Sequence, residues 1–232
     1  MADFPNMQSR HDILDSATRI KQLSQQPSDF LTDLLVQQQQ FACIEWIHRF
    51  NLLKEIPLPP GSISYPDAAA KLGVSVSTLR AVARMAMTAN LLSETKDGRL
   101  AHNALSAVFI EDEDLAAWLS YLINMSIPCM RAFPEATQKW DDSTKRNETS
   151  YNIAMGTGLS FFEHLATDPD RSAEFGKYMK SQSTVHAGVN AGHLVIGYDW
   201  AKLGEAKVVD VSHTLCHDQP IITRFRLVGM RG

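Results

Sequence analysis

The sequence predicts a mainly α-helical chain. A helical first region is followed by a winged helix-turn-helix, further helices and, near the end, only the first strand of a Rossmann-like sheet. Three observations carry this. Apolar residues recur at helical spacing through most of the 232 residues. Between Pro57 and His102 the pattern changes to strand, helix, turn, helix, hairpin, the order of a winged helix-turn-helix. Lys207-Val208-Val209-Asp210-Val211 is a short β-branched run with an acid near its end, as in the first strand of a nucleotide-binding sheet.

In order, Ile13, Ala17, Ile20 and Leu23 predict an amphipathic helix that stops before Pro27. Ser28 is placed to cap a longer helix carrying Leu31, Leu34, Leu35, Phe41, Ile44, Trp46, Ile47 and Phe50. Its apolar arc is wide, above all in the second half, which fits either a dimer interface or the central helix of a monomeric core. Pro57-Leu58-Pro59-Pro60-Gly61 breaks that helix, and Ser62-Ile63-Ser64-Tyr65 predicts a short strand. Pro66 and Asp67 open a helix that Gly73 ends, and Ser75 or Ser77 caps the next, with Leu79, Val82, Met85 and Ala86 on it. Two strands, Leu91 to Thr95 and Arg99 to His102, are joined across Lys96-Asp97-Gly98, where Asp-Gly is a strong hairpin signal. Leu105 to Met130 is helical again, with Pro128 expected to end or kink the helix. Arg131 to Ser150 is polar and reads as a surface excursion. Tyr151 to His164 and a helix from Pro169 to about Leu194 follow.

Composition narrows the function. At 44% hydrophobic the chain can bury the core of one domain or two small ones. A net charge of −4 does not attract nucleic acid or anionic membrane. The second helix of the winged element offers only Arg80 and Arg84, too few cations for phosphate-driven binding, so a structural wing is expected. Cys43, Cys129 and Cys216 are far apart and form no CxxC, which suggests reduced thiols. Residues 1–10 lack an apolar leader and no run is long enough to span a bilayer, so a soluble intracellular protein is expected.

Candidate chemistry is sparse. His48, His102, His164, His186 and His193 stand singly. His213 and His217 have an i, i+4 spacing beside Cys216 and Asp218, yet Pro220 follows at once and no upstream pair completes a zinc site. There is no GxSxG, and Cys43 sits on an apolar helix, so no nucleophile is expected. Met125, Met130, Met155, Phe161, Phe162 and Met179 fit either the wall of an aromatic-substrate pocket or plain core.

Several fragments gain meaning from their order: Cys43-Ile44-Glu45-Trp46-Ile47-His48-Arg49-Phe50-Asn51, Ser64-Tyr65-Pro66-Asp67, Leu79 to Thr88, Arg99 to Ser106, Tyr151-Asn152-Ile153-Ala154-Met155-Gly156, and Trp200 to Val211. Together, over 28–211, they resemble the fungal relatives of plant caffeic-acid-type O-methyltransferases, which depend on S-adenosyl-L-methionine. Residues 41–211 are also similar to methyltransferase-like transcriptional coactivators of the aflatoxin-cluster type, and a methyltransferase-like pericyclase is a third reading.

The resemblance implies a protein of fungal polyketide metabolism and an intertwined homodimer. It divides the chain into a helical dimerisation region, 1–56, a winged helix that does not read DNA, 57–106, a helical linker and substrate-facing region, 107–206, and the start of a methyltransferase domain, 207–232. Met125, Asn152, Met155, Phe162 and Met179 become substrate-binding, and Asp210 the one cofactor-loop position present. Ser212-His213-Thr214 stands where the family has cofactor-receiving glycines, and the family's ribose ligand, histidine base and acidic partners fall beyond residue 232. No catalytic or metal-binding residue is carried over. S-adenosyl-L-methionine is the family's cofactor, but this chain is not expected to hold it or to transfer methyl by itself. Val211-Ser212 is compatible with a GTGAGT splice donor, so a retained intron or a genuinely short relative would each explain the tail. A cytoplasmic location is expected, or a nuclear one for a coactivator, with a transcription factor or a full-length methyltransferase as further partner.

Overall fold

The computed structural model describes residues 7–185 together with Asp199 and Lys202. They fall into two compact units that divide between Ile123 and Asn124. The strand expected at 207–211, with Asp210, lies outside the described residues, as do His186, His193 and the His213/His217 pair.

The first unit begins with α1, Met7–Ser24, and α2, Pro27–Arg49. Helix α2 starts two residues earlier than Ser28 capping would place it. Pro27 takes the first helical position, where its fixed φ suits the helix and its missing N–H is not needed. Gln26 is the capping residue, and its N–H donates to the Asp29 carboxylate at 2.9 Å. Across the turn, Lys21 pairs with Asp33 at 2.8 Å and the Gln25 amide donates to the same carboxylate at 3.0 Å.

A short α3, Leu52–Glu55, leads to α4, Tyr65–Leu72, and α5, Val76–Thr88. Caps mark these helices as the sequence indicates. Ser64 accepts from the Asp67 N–H, Ser75 accepts from the Thr78 N–H, and Gly73 closes α4 at φ +67°, a left-handed conformation that favours glycine. Strands β1, Leu92–Glu94, and β2, Leu100–His102, pair antiparallel, with Gly98 at φ +73° in the turn. The strand expected at 62–65 shrinks to one residue, Ile63, which exchanges both backbone hydrogen bonds with Leu100 at 2.9 Å. Ser64 is already the cap of α4 and Tyr65 its first residue, so the extended backbone has no room to continue.

These elements share one core. Ile47 from α2, Leu52 and Leu53 from α3, Tyr65 and Ala68 from α4, Leu79 and Ala83 from α5, and Leu92 and Leu100 from the strands pack together. Beneath them lies a buried polar relay. The His102 Nε2 is 3.0 Å from the Leu53 carbonyl, which requires the proton there, so Nδ1 accepts from the Ser106 hydroxyl at 2.9 Å. Burial lowers the His102 pKa below its ordinary value of 6.5, and hydrogen bonds to backbone only partly oppose that.

A pH dependence follows from the sign of this shift. The unfolded state takes up the proton first, so the contribution of His102 is complete above pH 6.5 and is lost as pH falls towards the folded value. Urea unfolding should show a midpoint that drops from neutral pH to about pH 5.5, before carboxylates titrate. In His102→Gln the slope across that window should flatten. An unchanged slope would remove His102 from the account.

The helix expected over 105–130 is in pieces: α6, Ala104–Glu111, α7, Glu113–Tyr121, and a π-helical turn, Leu122–Ser126. Asp112 makes the first break, because its carboxylate accepts from the N–H groups of Asp114 and Leu115 and starts a new helix.

In the second unit, α8 spans Ile127–Trp140, which corrects one expectation. The helical run does not end at Pro128, and the π-helical turn Leu122–Ser126 directly precedes it. Arg131 to Trp140 is helical, and only residues 141–149 form the polar excursion. The charged residues there occupy the outer face of an amphipathic helix whose inner face is Ala132 and Ala136, both buried. Those small side chains let α8 pack closely on α9, Ser150–Met155, which Gly156 ends at φ +62°. Helices α10, Phe161–Ala166, and α11, Pro169–Val185, complete the described unit. Residues 186–194 of the last expected helix lie outside the described residues.

Candidate functional site

The second unit gathers aromatic rings around one polar pair. Tyr151 on α9 meets Phe161 on α10 edge-on at 5.0 Å between centroids, and Phe161 in turn meets Phe162 at 5.1 Å and Phe175 of α11 at 5.2 Å. The Tyr151 hydroxyl lies 2.7 Å from His164 Nδ1, so with the imidazole proton on Nε2 the phenol donates to the ring. Burial pushes the Tyr151 phenol above its ordinary range, and the neighbouring Arg171 guanidinium counters it. The Cys129 thiol is also pushed up by burial, which makes it a poor nucleophile.

Arg171 is placed by the start of α11. Asp168 caps that helix, one oxygen accepting from the Arg171 N–H at 3.1 Å and the other from Arg171 Nε at 3.4 Å. These contacts, the backbone N–H first, hold the Asp168 carboxyl below the usual carboxylate range. Arg171 Nη1 points at the Met155 sulfur, 3.2 Å away.

The substrate-facing residues expected from sequence are placed unequally. Met155 joins the cluster through Arg171, and Phe162 stands at its edge, 41% exposed. Met125 is buried in the π-helical turn, Met179 is half-buried on α11, and Met130 is exposed over most of its surface. Asn152 is buried and its amide is spent within the chain. It donates to the Thr157 and Leu159 carbonyls at 3.0 and 2.7 Å and accepts from Thr149 at 2.8 Å, thereby holding the loop that leads to α10.

Sequence reading missed the Tyr151–His164 pair and Arg171. Nothing periodic couples residues thirteen positions apart across a loop. Asp168-Pro169 before Arg171 is a helix-start signal that could have placed the guanidinium one turn into α11.

On α5, Arg80 lies over the Tyr65 ring at 4.9 Å, and Arg84 binds Glu94 of β1 through two hydrogen bonds of 3.1 and 3.0 Å. Among the described residues no cluster of three metal-ligating side chains occurs, and no helix is long and apolar enough to cross a membrane.

A second feature belongs to the first unit. The second half of α2 turns Ile44, Trp46 and Ile47 to the core of its own chain, whereas the first half leaves Phe30, Leu31, Leu34 and Leu35 in an uncovered stripe. Ile13, Leu14, Ile20 and Leu23 of α1 are likewise uncovered, and exposure runs from 47% at Leu34 to 75% at Leu23.

Comparison with known proteins gives this geometry a context. The chain is 50% identical over 202 residues to O-methyltransferase fsr2 of Gibberella fujikuroi, a match taking in 87% of this chain and 52% of fsr2. It is 39% identical over 204 residues to O-methyltransferase aurJ of Gibberella zeae, covering 88% of this chain and 46% of aurJ. The chain therefore spans about half the length of the curated relatives it matches. In fold it resembles the structure of LepI in complex with SAM, with a TM-score of 0.65 at 19% identity over 75% of this chain and 45% of that one. No protein-family model matches the chain.

Proposed function

We propose that this chain, a relative of the fungal O-methyltransferases, is the helical, acceptor-facing and self-associating part of an S-adenosyl-L-methionine-dependent O-methyltransferase acting on an aromatic secondary metabolite of polyketide type. The observation that carries the proposal is identity of 50% over 202 residues to O-methyltransferase fsr2. The ring cluster of Tyr151, Phe161, Phe162 and Phe175 supports the acceptor side of it, because edge-on and stacked rings are what a planar phenolic acceptor packs against.

Methyl transfer needs the sulfonium carbon and the acceptor oxygen held in line, with a base for the phenol proton. The part assigned to this chain is the first half of that requirement: holding and orienting the acceptor ring. Binding the donor is not assigned to the described residues, which contain no strand, glycine-rich turn and helix in succession. Asp210 lies outside them, and Ser212-His213-Thr214 follows it where close backbone approach calls for glycine.

We read α4, α5 and the hairpin as a winged helix that serves as scaffold. Arg80 and Arg84, the two cations of α5, are engaged by Tyr65 and Glu94. The uncovered stripe of α1 and α2 is read as the seat of a second copy of the chain. The relatives named above are O-methyltransferases, and the coactivator reading draws no support from them.

The test is binding and turnover with the purified chain. A naphthol should bind saturably, and Phe161→Ala or Phe175→Ala should weaken it by about three- to tenfold, the worth of one aromatic pair. Incubation with labelled S-adenosyl-L-methionine and phenolic acceptors should give no labelled product. Catalytic turnover would place the donor site within this chain and overturn the division of labour. Absence of any saturable naphthol binding would remove the acceptor-facing role.

A further inference from the structure

We infer that His164 is a positioning residue. Through Tyr151 it latches α10, which carries Phe161 and Phe162, to α9 while its imidazole is neutral, and it releases α10 when the imidazole takes up a proton. The latch stands on the geometry of this chain, and its consequence for an acceptor rests on the acceptor-facing reading. A run of donors fixes the protonation state. Arg171 has no acceptor atom and can only donate, to the Asp168 carboxylate and to the Tyr151 hydroxyl. The phenol oxygen therefore receives, and its own proton goes to His164 Nδ1, 2.7 Å away. Only a ring whose Nδ1 carries no proton can accept it.

Protonation reverses this last link. Nδ1 becomes a donor aimed at an oxygen that already receives from a guanidinium, and the phenol proton loses its acceptor. Tyr151 is buried, which leaves little water to replace the lost bond. Helix α10 is sensitive to the loss because six residues are too few to hold a helix by themselves. The Asn152 amide and the Ser160 cap order the chain up to its start, whereas His164 ties down its far half beside the buried Leu165. The charged and titratable groups set against the pair are Arg171 and Asp168 at the start of α11 and the Cys129 thiol of α8, which burial keeps neutral. On α10 itself Glu163 is spent on the Ser160 cap, with Arg146 nearby. Of these residue types only histidine ordinarily changes charge between about pH 7.5 and about pH 5.5. The latch is therefore closed at neutral pH and opens on acidification.

The experiment follows amide hydrogen exchange of residues 161–166 in the 232-residue chain at about pH 7.5 and about pH 5.5, corrected for the intrinsic effect of pH on exchange. Protection of α10 should fall about fivefold on acidification, the worth of one hydrogen bond. His164→Gln, whose amide oxygen accepts the phenol proton at either pH, should keep the protection and lose the pH dependence. Tyr151→Phe should be weakly protected at both. His102 adds a pH dependence of its own in the first unit, so the deciding comparison is between chains that all retain it. A naphthol, uncharged throughout this window, should bind about fivefold more weakly at the lower pH, and His164→Gln should remove that difference. Far-UV circular dichroism checks that the variants fold, and if His164→Gln does not, Tyr151→Phe decides alone. The latch is overturned if α10 protection is equal at both pH values, or if either variant retains the drop. Equal naphthol affinity at both pH values overturns the positioning role even where exchange responds. If exchange behaves as expected and no naphthol binds, the latch stands and the acceptor-facing reading fails.

Discussion

Leu100→Ala is expected to destabilise the first unit by about 2–5 kcal/mol, the range for truncating an enclosed leucine. Leu100 has no exposed surface, and it is the residue at which three elements meet. Its backbone pairs with both Glu94 and Ile63, and its side chain lies in the cluster that also holds Leu52, Tyr65 and Leu79. The lost transfer energy is one part of the cost and the cavity is the other, because the packed helices around it relax only partly into the gap. Spread over a unit of this size, the loss should lower the melting temperature by about 10 °C. The control is Leu105→Ala, on the surface of α6, which should change stability by less than about 0.5 kcal/mol. Equal effects of the two substitutions would mean that the cluster around Leu100 is not what holds this unit together.

The elements that were legible in the sequence are those whose signals are local and chemical. Gly73, Ser75 and Gly98 each satisfy a backbone requirement within a few residues, so α4, α5 and the hairpin could be read in order, whereas Ser64, expected in a strand, is the cap of α4. Proline was legible as a boundary and less so as a start: α1 stops before Pro27 as expected, but Pro27 itself opens α2, and the chain stays helical through Pro128 with a π-helical turn just before it. The polar character of Arg131 to Trp140 concealed a helix whose buried face is made only of Ala132 and Ala136, a pair too small to register as an apolar stripe.

The candidate site was legible in composition but not in arrangement. Methionine and phenylalanine along 125–179 fit either an aromatic wall or plain core; Phe161 and Phe162 meet edge-on, and Met155 meets Arg171. Asn152 resembles a polar recognition residue until its hydrogen bonds are counted, all of which close a local loop. The contacts that distinguish the site, Tyr151 with His164 and Arg171 with Met155, join residues across turns, and no periodicity encodes them.

The second large effect concerns association. The unsubstituted chain is expected to sediment as a dimer, and Leu31→Arg with Leu35→Arg is expected to make it a monomer. Helix α1 has no buried side chain among residues 9–24, and an isolated helix of 18 residues is only marginal in water. Phe30, Leu31, Leu34 and Leu35 recur every three to four positions, forming one face, and the facing groove between α1 and α2 is lined by Phe30 and Leu34 beside Thr18 and Gln22. A monomer rarely leaves a stripe of this kind in water, and a stable dimer needs about 800 Å² from each partner, which two long helices can supply. In a two-fold interface each substitution enters twice, so two arginines per chain put four charges into the contact. Burying them should weaken association by more than about a hundredfold, at two or more kcal/mol for an unpaired group. The fold of the first unit should survive, because its core begins at Ile44 and Ile47, beyond the altered positions. Sedimentation velocity with circular dichroism on the same samples separates the outcomes. A monomeric, folded double variant supports the interface. A double variant that still sediments as a dimer would show that α2 is not where two copies meet, and a monomeric unsubstituted chain would remove self-association from the proposed function.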